Sequence, residues 1–241
     1  MPVTICFDFG NTRLKCAVFS GKELTELIVL ENGDLDTIEI IVNRFRPDRT
    51  ILSSVIKHDP EIEIWLQKHS AFHKLDHHSK IPISTPVGKP ETIGADRLAL
   101  MVAAQDLFPG KNNLVVGLGS AITYNFLNKY GEFLGGGISP GMEMRLRSLH
   151  EFTAKLPLVK ADWNFPLIGY DTRTNILSGV ILGMAREIDG IISEYDAKYE
   201  NFNVLLSGGD AEHFSRLIKS RIFVEPNLMY RGLMVIGDYN L

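Results

Sequence analysis

Two glycine turns, each set between apolar strand-like runs, constrain the fold more than any other feature of this sequence. The first turn contains Gly10 and follows residues 3–7, and the second contains Gly119 and follows residues 113–116. An apolar run returns after each turn, which is typical of a β-hairpin. The glycines are 109 positions apart in a chain of 241 residues. A strand-rich unit that begins again near the middle of the chain predicts two related α/β lobes.

The hydrophobic pattern predicts alternating helices and strands in both halves of the chain. Helices are expected over 34–45, 61–68, 95–108 and 176–192, with another from about 141, and strands over 24–30, 50–53 and 204–207. The segment 72–90 contains several prolines and is expected to be irregular. Pro109 and Gly110 end the helix that precedes the second hairpin, so we divide the chain into lobes at 1–108 and 109–241.

Charge and composition limit the classes of partner that this chain can bind. Its 25 Lys and Arg residues are outnumbered by 29 Asp and Glu residues, which gives a net charge of −4. Such a chain has no long-range attraction for nucleic acid or anionic lipid. No run approaches the roughly 20 apolar residues of a membrane helix, and the N-terminus enters a strand directly. We therefore expect a cytoplasmic protein that binds neither nucleic acid nor membrane.

The first glycine turn carries groups suited to binding phosphate. Gly10 permits a close backbone approach, and Asn11, Thr12 and the backbone N–H groups can donate hydrogen bonds. Lys15 is the nearest compact positive charge. Asp8 would approach a phosphate only through a cation, so Mg²⁺ is expected here. From the residues alone, a plain hairpin in which Asp8 caps its own turn is the favoured alternative.

A second polar motif opens the helix that ends near residue 108. Gly94, Ala95, Asp96 and Arg97 occupy its first turn, where free N–H groups and the helix dipole favour an anion. The Asp96 carboxylate is a candidate general base. Ordinary capping of the helix with an exposed Arg is the alternative.

Two further motifs carry weaker signals. Gly208 and Gly209 follow a predicted strand, and such a turn allows a flat ligand such as adenine to approach the backbone. His73, His77 and His78 are the metal-like cluster of the sequence. Because adjacent histidines point in different directions and lysines flank the cluster, we interpret it as a solvated loop.

Taken in order, these motifs resemble those of the type III pantothenate kinases. The matching segments are 8–12, 94–97 and 119–121, with support at 136–141, 153–157, 169–172 and 207–210. The resemblance implies two ribonuclease-H-like (actin-like ATPase) lobes, each a mixed sheet flanked by helices, as in the acetate and sugar kinase/Hsp70/actin superfamily. It also implies a homodimer that uses ATP to phosphorylate pantothenate, the first step of coenzyme A synthesis.

On the ATP side, the resemblance assigns residues 8–15 to the first phosphate loop, with Asp8 near Mg²⁺. Ser120 stands where the family usually has a Thr that contacts ATP. Gly208 and Gly209 fall where the superfamily binds adenosine.

On the pantothenate side, the resemblance implies that residues 94–97 hold the substrate and that Asp96 is the base facing its primary hydroxyl. Thr172 would reach the pantothenate bound to the partner subunit. Val87 stands where the family has a Tyr that contacts pantothenate.

The sequence departs from the family pattern at two further positions, both in the second hairpin. Gly117 replaces an Asp that binds a monovalent cation, K⁺ or NH₄⁺, so we expect no such site of the usual form. Asn125 replaces a second Asp. These departures leave two alternatives: a non-catalytic relative that binds nucleotide or pantothenate as a regulatory or accessory protein, and an ATPase or kinase for another small hydroxyl compound.

Overall fold

The predicted strands assemble into two five-stranded sheets in the computed structural model, which describes residues 1–86 and 88–241. In chain order the elements are β1 (Val3–Phe9), β2 (Leu14–Ser20), β3 (Glu23–Leu30), α1 (Leu35–Phe45), β4 (Arg49–Ser54), α2 (Pro60–His69), β5 (Ala71–Lys74), a 3-10 turn (Pro90–Thr92), α3 (Ala95–Leu107), β6 (Asn112–Leu118), β7 (Ala121–Leu127), β8 (Phe133–Pro140), α4 (Met142–Glu151), α5 (Thr172–Lys198), β9 (Phe202–Gly208), α6 (Ala211–Ser215), β10 (Phe223–Val224) and α7 (Leu228–Asn240).

Both sheets have the same strand order, which is β3-β2-β1-β4-β5 in one and β8-β7-β6-β9-β10 in the other. The central strands β1 and β6 each form an antiparallel hairpin with the next strand. On their other side, β1 pairs in parallel with β4, and β6 pairs in parallel with β9. The two-lobe α/β architecture with mixed sheets, which the sequence predicts, is therefore confirmed.

The described chain divides into two compact units, and their bounds differ from the predicted lobes in three places. Unit 1 comprises Met1–Pro109, Gly131–Phe133 and Leu228–Leu241, and unit 2 comprises Gly110–Tyr130 and Leu134–Asn227. The predicted second lobe, 109–241, differs from unit 2 because it includes Pro109, residues 131–133 and the last helix, α7.

Helix α7 belongs to unit 1 because α3 needs cover on all sides. Residues 98–104 of α3 are all buried, and a helix that is apolar around its whole circumference must be enclosed. At Gly232 the backbone of α7 lies directly on α3, since a Cβ there would be 1.8 Å from the carbonyl oxygen of Ala99. An ion pair between Arg49 and Asp238, with 2.7 Å between Nη1 and Oδ1, ties the same helix to β4.

The two faces of the first sheet have different partners. Ile5, Phe7 and Phe9 of β1 are fully buried in a core that includes residues of α1 and α2. Because side chains alternate along a strand, Cys6 and Asp8 lie on the opposite face, the side of α3 and α7. Asp8, the penultimate residue of β1, thereby lies on the same side of the sheet as the start of α3.

Two local predictions need correction. The first concerns residues 135–140, to which no strand was assigned: the edge strand β8 runs through these glycines to Pro140. The irregular segment also begins later than 72, since β5 extends the first sheet by a short parallel strand. None of the described helices is both long and apolar enough to cross a membrane.

Candidate functional site

In unit 1 the Gly10 turn connects β1 to β2 with polar groups at its tip. Asp8 and Lys15 are directly opposite each other in the antiparallel register, which places their side chains on one face of the hairpin. Asn11 and Thr12 are exposed at the tip of the turn. The predicted phosphate loop therefore presents a carboxylate and an ammonium at its base and exposed donors above them.

Asp8 and Asp96 lie close enough for the charge of one to affect the other. Burial raises the pKa of Asp8 to about 7, the charge of Asp96 adds to the rise, and Lys15 opposes it. Asp96 is in the first turn of α3, for which Gly94 is the N-cap. The structure thus brings the predicted turn carboxylate and the predicted base into one region of unit 1.

Arg97, the next residue of α3, lies against an aromatic ring. Its guanidinium carbon is 5.4 Å from the centre of the Phe133 ring, within range of a cation–π interaction. Burial lowers the pKa of Arg97, and the neighbouring Asp96 charge opposes that effect. Phe133 is itself fixed by a hydrogen bond from its N–H to the carbonyl of Ser84, at 2.8 Å. Arg97 therefore has a defined orientation beside Asp96.

Two residues near Asp8 were not among the predicted site residues. Ser53 of β4 is the parallel-strand neighbour of Asp8. Its hydroxyl is buried and has no hydrogen-bond partner among residues 1–86 and 88–241. Tyr230 of α7 is buried, and its pKa is raised first by burial and then by the charge of Asp8. The parallel register could have suggested Ser53, but no sequence signal connects Tyr230 with Asp8.

In unit 2 the second glycine turn is tighter than the first, since Gly119 and Ser120 alone join β6 to β7. Both residues are exposed. Gly117 lies within β6, opposite Thr123, and contributes no side-chain oxygen. Asn125 is fully buried and donates hydrogen bonds to the carbonyl of Val115 and the hydroxyl of Thr123. The two departures from the family pattern thus lie in one hairpin.

The remaining predicted residues of unit 2 lie at two places. Gly208 has a φ of 107° and sits directly on β6, where a Cβ would be 2.1 Å from the carbonyl oxygen of Leu118. Gly209 beside it faces open space. Thr172 is the first residue of α5 and lines a recess of about 660 Å³ between α4 and α5. The recess is lined by Arg145, Ser148, Leu149, Leu156, Thr172, Asn175, Ile176, Gly179 and Val180.

Two predictions concern residues away from these places. Val87, the expected substrate contact, lies outside the residues that the structure describes. His77 and His78 are exposed, while His73 bonds to the hydroxyl of Ser79. In the described part of the chain, no group of three or more His, Cys, Asp or Glu side chains is arranged to hold a metal ion.

Comparison with known proteins identifies the chain's relatives. Residues 4–194 match the family model described as type III pantothenate kinase. The type III pantothenate kinase of Bacteroides fragilis is 39% identical over 239 residues, covering 99% of this chain and 98% of that protein.

Solved structures resemble the fold. A Baf family transcriptional activator from Campylobacter jejuni, described as putative, aligns with a TM-score of 0.59 at 18% identity, over 96% of both chains. A ROK family glucokinase from Streptomyces griseus, solved with glucose and AMPPNP, aligns with a TM-score of 0.54 at 10% identity, over 98% of both chains. At these identities the likeness extends to the fold alone.

Replacing Asp8 with Asn should change how the free energy of unfolding depends on pH. The pKa of Asp8 is about 7 in the folded protein and about 3.9 in an unfolded chain, so the folded state binds this proton more tightly. The stability that this proton contributes is full below about pH 4 and is lost as pH rises through about 7. Relative to wild type, Asp8→Asn should gain about 2–3 kcal/mol between pH 5 and pH 8.

Denaturant titrations of both proteins at the two pH values measure this difference. Asp196→Asn, which removes an exposed carboxylate of α5, serves as the control and should show no comparable gain. An equal stability difference for Asp8→Asn at both pH values would contradict the raised pKa.

Proposed function

Because the chain belongs to the type III pantothenate kinase family, we propose that it transfers the γ-phosphate of ATP to the primary hydroxyl of pantothenate. The product is 4′-phosphopantothenate, the first intermediate of coenzyme A synthesis. We assign the reaction to particular residues because Asp8 and Asp96 lie close together in unit 1. We place this reaction in the cytoplasm and invoke neither nucleic acid nor membrane as a partner.

The Asp8 end of the turn suits a phosphate accompanied by a divalent cation. Mg²⁺ is commonly bound through one or two carboxylates together with substrate phosphates, and Asp8 supplies a carboxylate whose burial and acidic neighbour leave its charge poorly compensated. When bound, Mg²⁺ neutralises charge on the transferring phosphoryl group. Gly10, Asn11, Thr12 and Lys15 hold the phosphates by hydrogen bonds and charge.

In unit 2 we assign Ser120 to ATP contact and the Gly208–Gly209 turn to the adenosine end. Gly119 and Ser120 are exposed at this tight turn, and a Ser hydroxyl can donate a hydrogen bond to a phosphate oxygen. The open space at Gly209 leaves room for a flat ring against backbone.

Pantothenate binds at the start of α3 in this proposal. Gly94 and Ala95 present the free backbone N–H groups of the helix N-terminus, and Arg97 offers a guanidinium already oriented by Phe133. Val87 keeps its predicted place as a substrate contact. Because phosphoryl transfer has a loose transition state, Asp96 needs only to orient the hydroxyl and take its proton late.

We also propose a homodimer in which Thr172 reaches the pantothenate of the partner subunit. Thr172 is exposed at the rim of the α4–α5 recess. The loop leading to it exposes large apolar side chains, an unusual feature for a surface that stays in water. These are Phe152, Leu158, Leu167, Ile168 and Tyr170.

Asp96→Asn should fold normally and lose roughly two to four orders of magnitude in kcat, the range for removing a general base. The assay measures pantothenate-dependent release of ADP. Asp106→Asn is a matched control on the same helix, where Asp106 pairs with Arg231. Turnover near wild type in Asp96→Asn would remove Asp96 from the mechanism.

The same assay separates the alternatives. ADP release that requires pantothenate supports the kinase, and release indifferent to pantothenate indicates an ATPase or a kinase for another hydroxyl compound. Binding of ATP or pantothenate without turnover would indicate a regulatory or accessory protein.

Co-expressing Asp96→Asn with Thr172→Ala should restore activity that neither homodimer has. In a mixed dimer, one site combines an intact Asp96 with an intact Thr172 from the partner. Random pairing makes half of the dimers mixed, so about a quarter of all sites should be restored. Activity equal to the average of the two homodimers would show that Thr172 does not act across the dimer.

Activity should not depend on potassium. Gly117 provides no carboxylate at the usual monovalent-cation position, and its hairpin partner is Thr123. Rates measured with ATP as its Tris salt should be the same in choline, sodium, ammonium or potassium chloride at equal ionic strength. A several-fold rise with K⁺ or NH₄⁺ alone would show that another group binds the cation.

A further inference from the structure

We propose that Glu187 and Arg145, both outside the predicted site, are positioning residues for the Gly119–Ser120 turn. This inference rests on the proposed function, in which that turn contacts ATP. The side chains of Tyr124, Ser139, Arg145 and Glu187 form a hydrogen-bonded set that we call the Glu187 network. All four belong to unit 2.

Arg145 connects α4 to the end of the edge strand β8. Its Nε donates to the carbonyl of Pro140 at 2.8 Å, and its Nη2 donates to the hydroxyl of Ser139 at 2.9 Å. The same Nη2 also donates to Glu187. One guanidinium therefore holds the last two residues of β8 and a carboxylate of α5 in a fixed relation.

Glu187 gives the network its charge and its second anchor. Its Oε1 accepts a hydrogen bond from the Tyr124 hydroxyl at 3.0 Å, which ties α5 to β7. Burial raises the pKa of Glu187, but hydrogen bonds from Arg145, Ser139 and Tyr124 outweigh it and the pKa is lowered overall. The pair is three-quarters buried on both sides, so charge-assisted bonds there are screened less than surface pairs.

Gly141, the residue after Pro140, contacts the Gly119–Ser120 turn directly. The N–H of Gly141 donates to the carbonyl of Ser120 at 3.2 Å. A Cβ on Gly141 would lie 2.5 Å from the carbonyl oxygens of both Gly119 and Ser120. Backbone therefore rests on backbone, and any shift of Pro140 moves the surface that supports the turn.

The turn itself is exposed and short, so its donors are fixed by this support from β8 and by the two strands that it joins. Loss of the Glu187–Arg145 pair removes the contact that anchors the Arg145 guanidinium to α5, and so weakens its hold on Pro140, while leaving the hairpin intact. The expected effect is weaker binding of nucleotide with little change in pantothenate recognition.

Glu187→Gln tests this because it keeps the shape of the side chain and removes the charge. We expect the KM for MgATP to rise about three- to tenfold, the effect of weakening one hydrogen bond, with the KM for pantothenate within error. Tyr124→Phe should give a smaller rise of the same kind. Arg145 itself lines the recess, so Glu187 and Tyr124 are the cleaner positions.

Glu26→Gln is the matched control, since Glu26 is paired with Arg44 on the surface of unit 1, and it should leave both KM values unchanged. Direct binding of Mg²⁺ and AMP-PNP to the same variants makes the test independent of turnover. If wild type binds AMP-PNP but does not phosphorylate pantothenate, the proposed function fails while a three- to tenfold weaker Kd in Glu187→Gln still supports the network. Equal Kd values for Glu187→Gln and Glu26→Gln, or no AMP-PNP binding by wild type, would overturn the inference.

Discussion

Two carboxyl groups held in one partly buried region repel each other in their charged forms, and a cation relieves that repulsion. In unit 1, burial and the charge of Asp96 both disfavour the charged form of Asp8. Lys15 offsets this effect only in part, since the pKa of Asp8 is still raised. The backbone imposes the proximity, because Asp8 is the penultimate residue of β1 and Asp96 lies in the first turn of α3. A site of this kind favours a ligand that brings its own divalent cation, as a nucleoside triphosphate does.

The elements that hold this pair were only partly predictable. Both hairpins and the long helices follow from the spacing of apolar residues, a signal that lies within a short segment of the sequence. The place of α7 in unit 1 depends on contact between Gly232 and Ala99, which are far apart in the chain. A glycine within a helix carries no sign of the backbone that it will touch, so the sequence could not assign residues 228–241 to the first lobe.

The residues of the candidate site were also only partly predictable from the sequence. Asp8 and Asp96 were found because each belongs to a short motif with its own local chemistry. Ser53 and Tyr230 were missed because their relation to Asp8 arises from strand register and from helix packing. Glu187 was missed for the same reason, since its partners Arg145 and Tyr124 lie on other elements, 42 and 63 positions away.

The second hairpin contains both departures from the family pattern, Gly117 and Asn125, and the surroundings of Asn125 suit an amide side chain. The Asn125 amide donates to the carbonyl of Val115 and to the hydroxyl of Thr123 in a fully buried position. A carboxylate there would have no proton to donate to the Val115 carbonyl. With Gly at 117 as well, the hairpin carries no acidic side chain at either position. Support for the Gly119–Ser120 turn then comes from the Glu187–Arg145 pair, which balances its own charge within the protein. In the proposed arrangement, side chains of the protein itself, from β7, α4 and α5, therefore stabilise this hairpin.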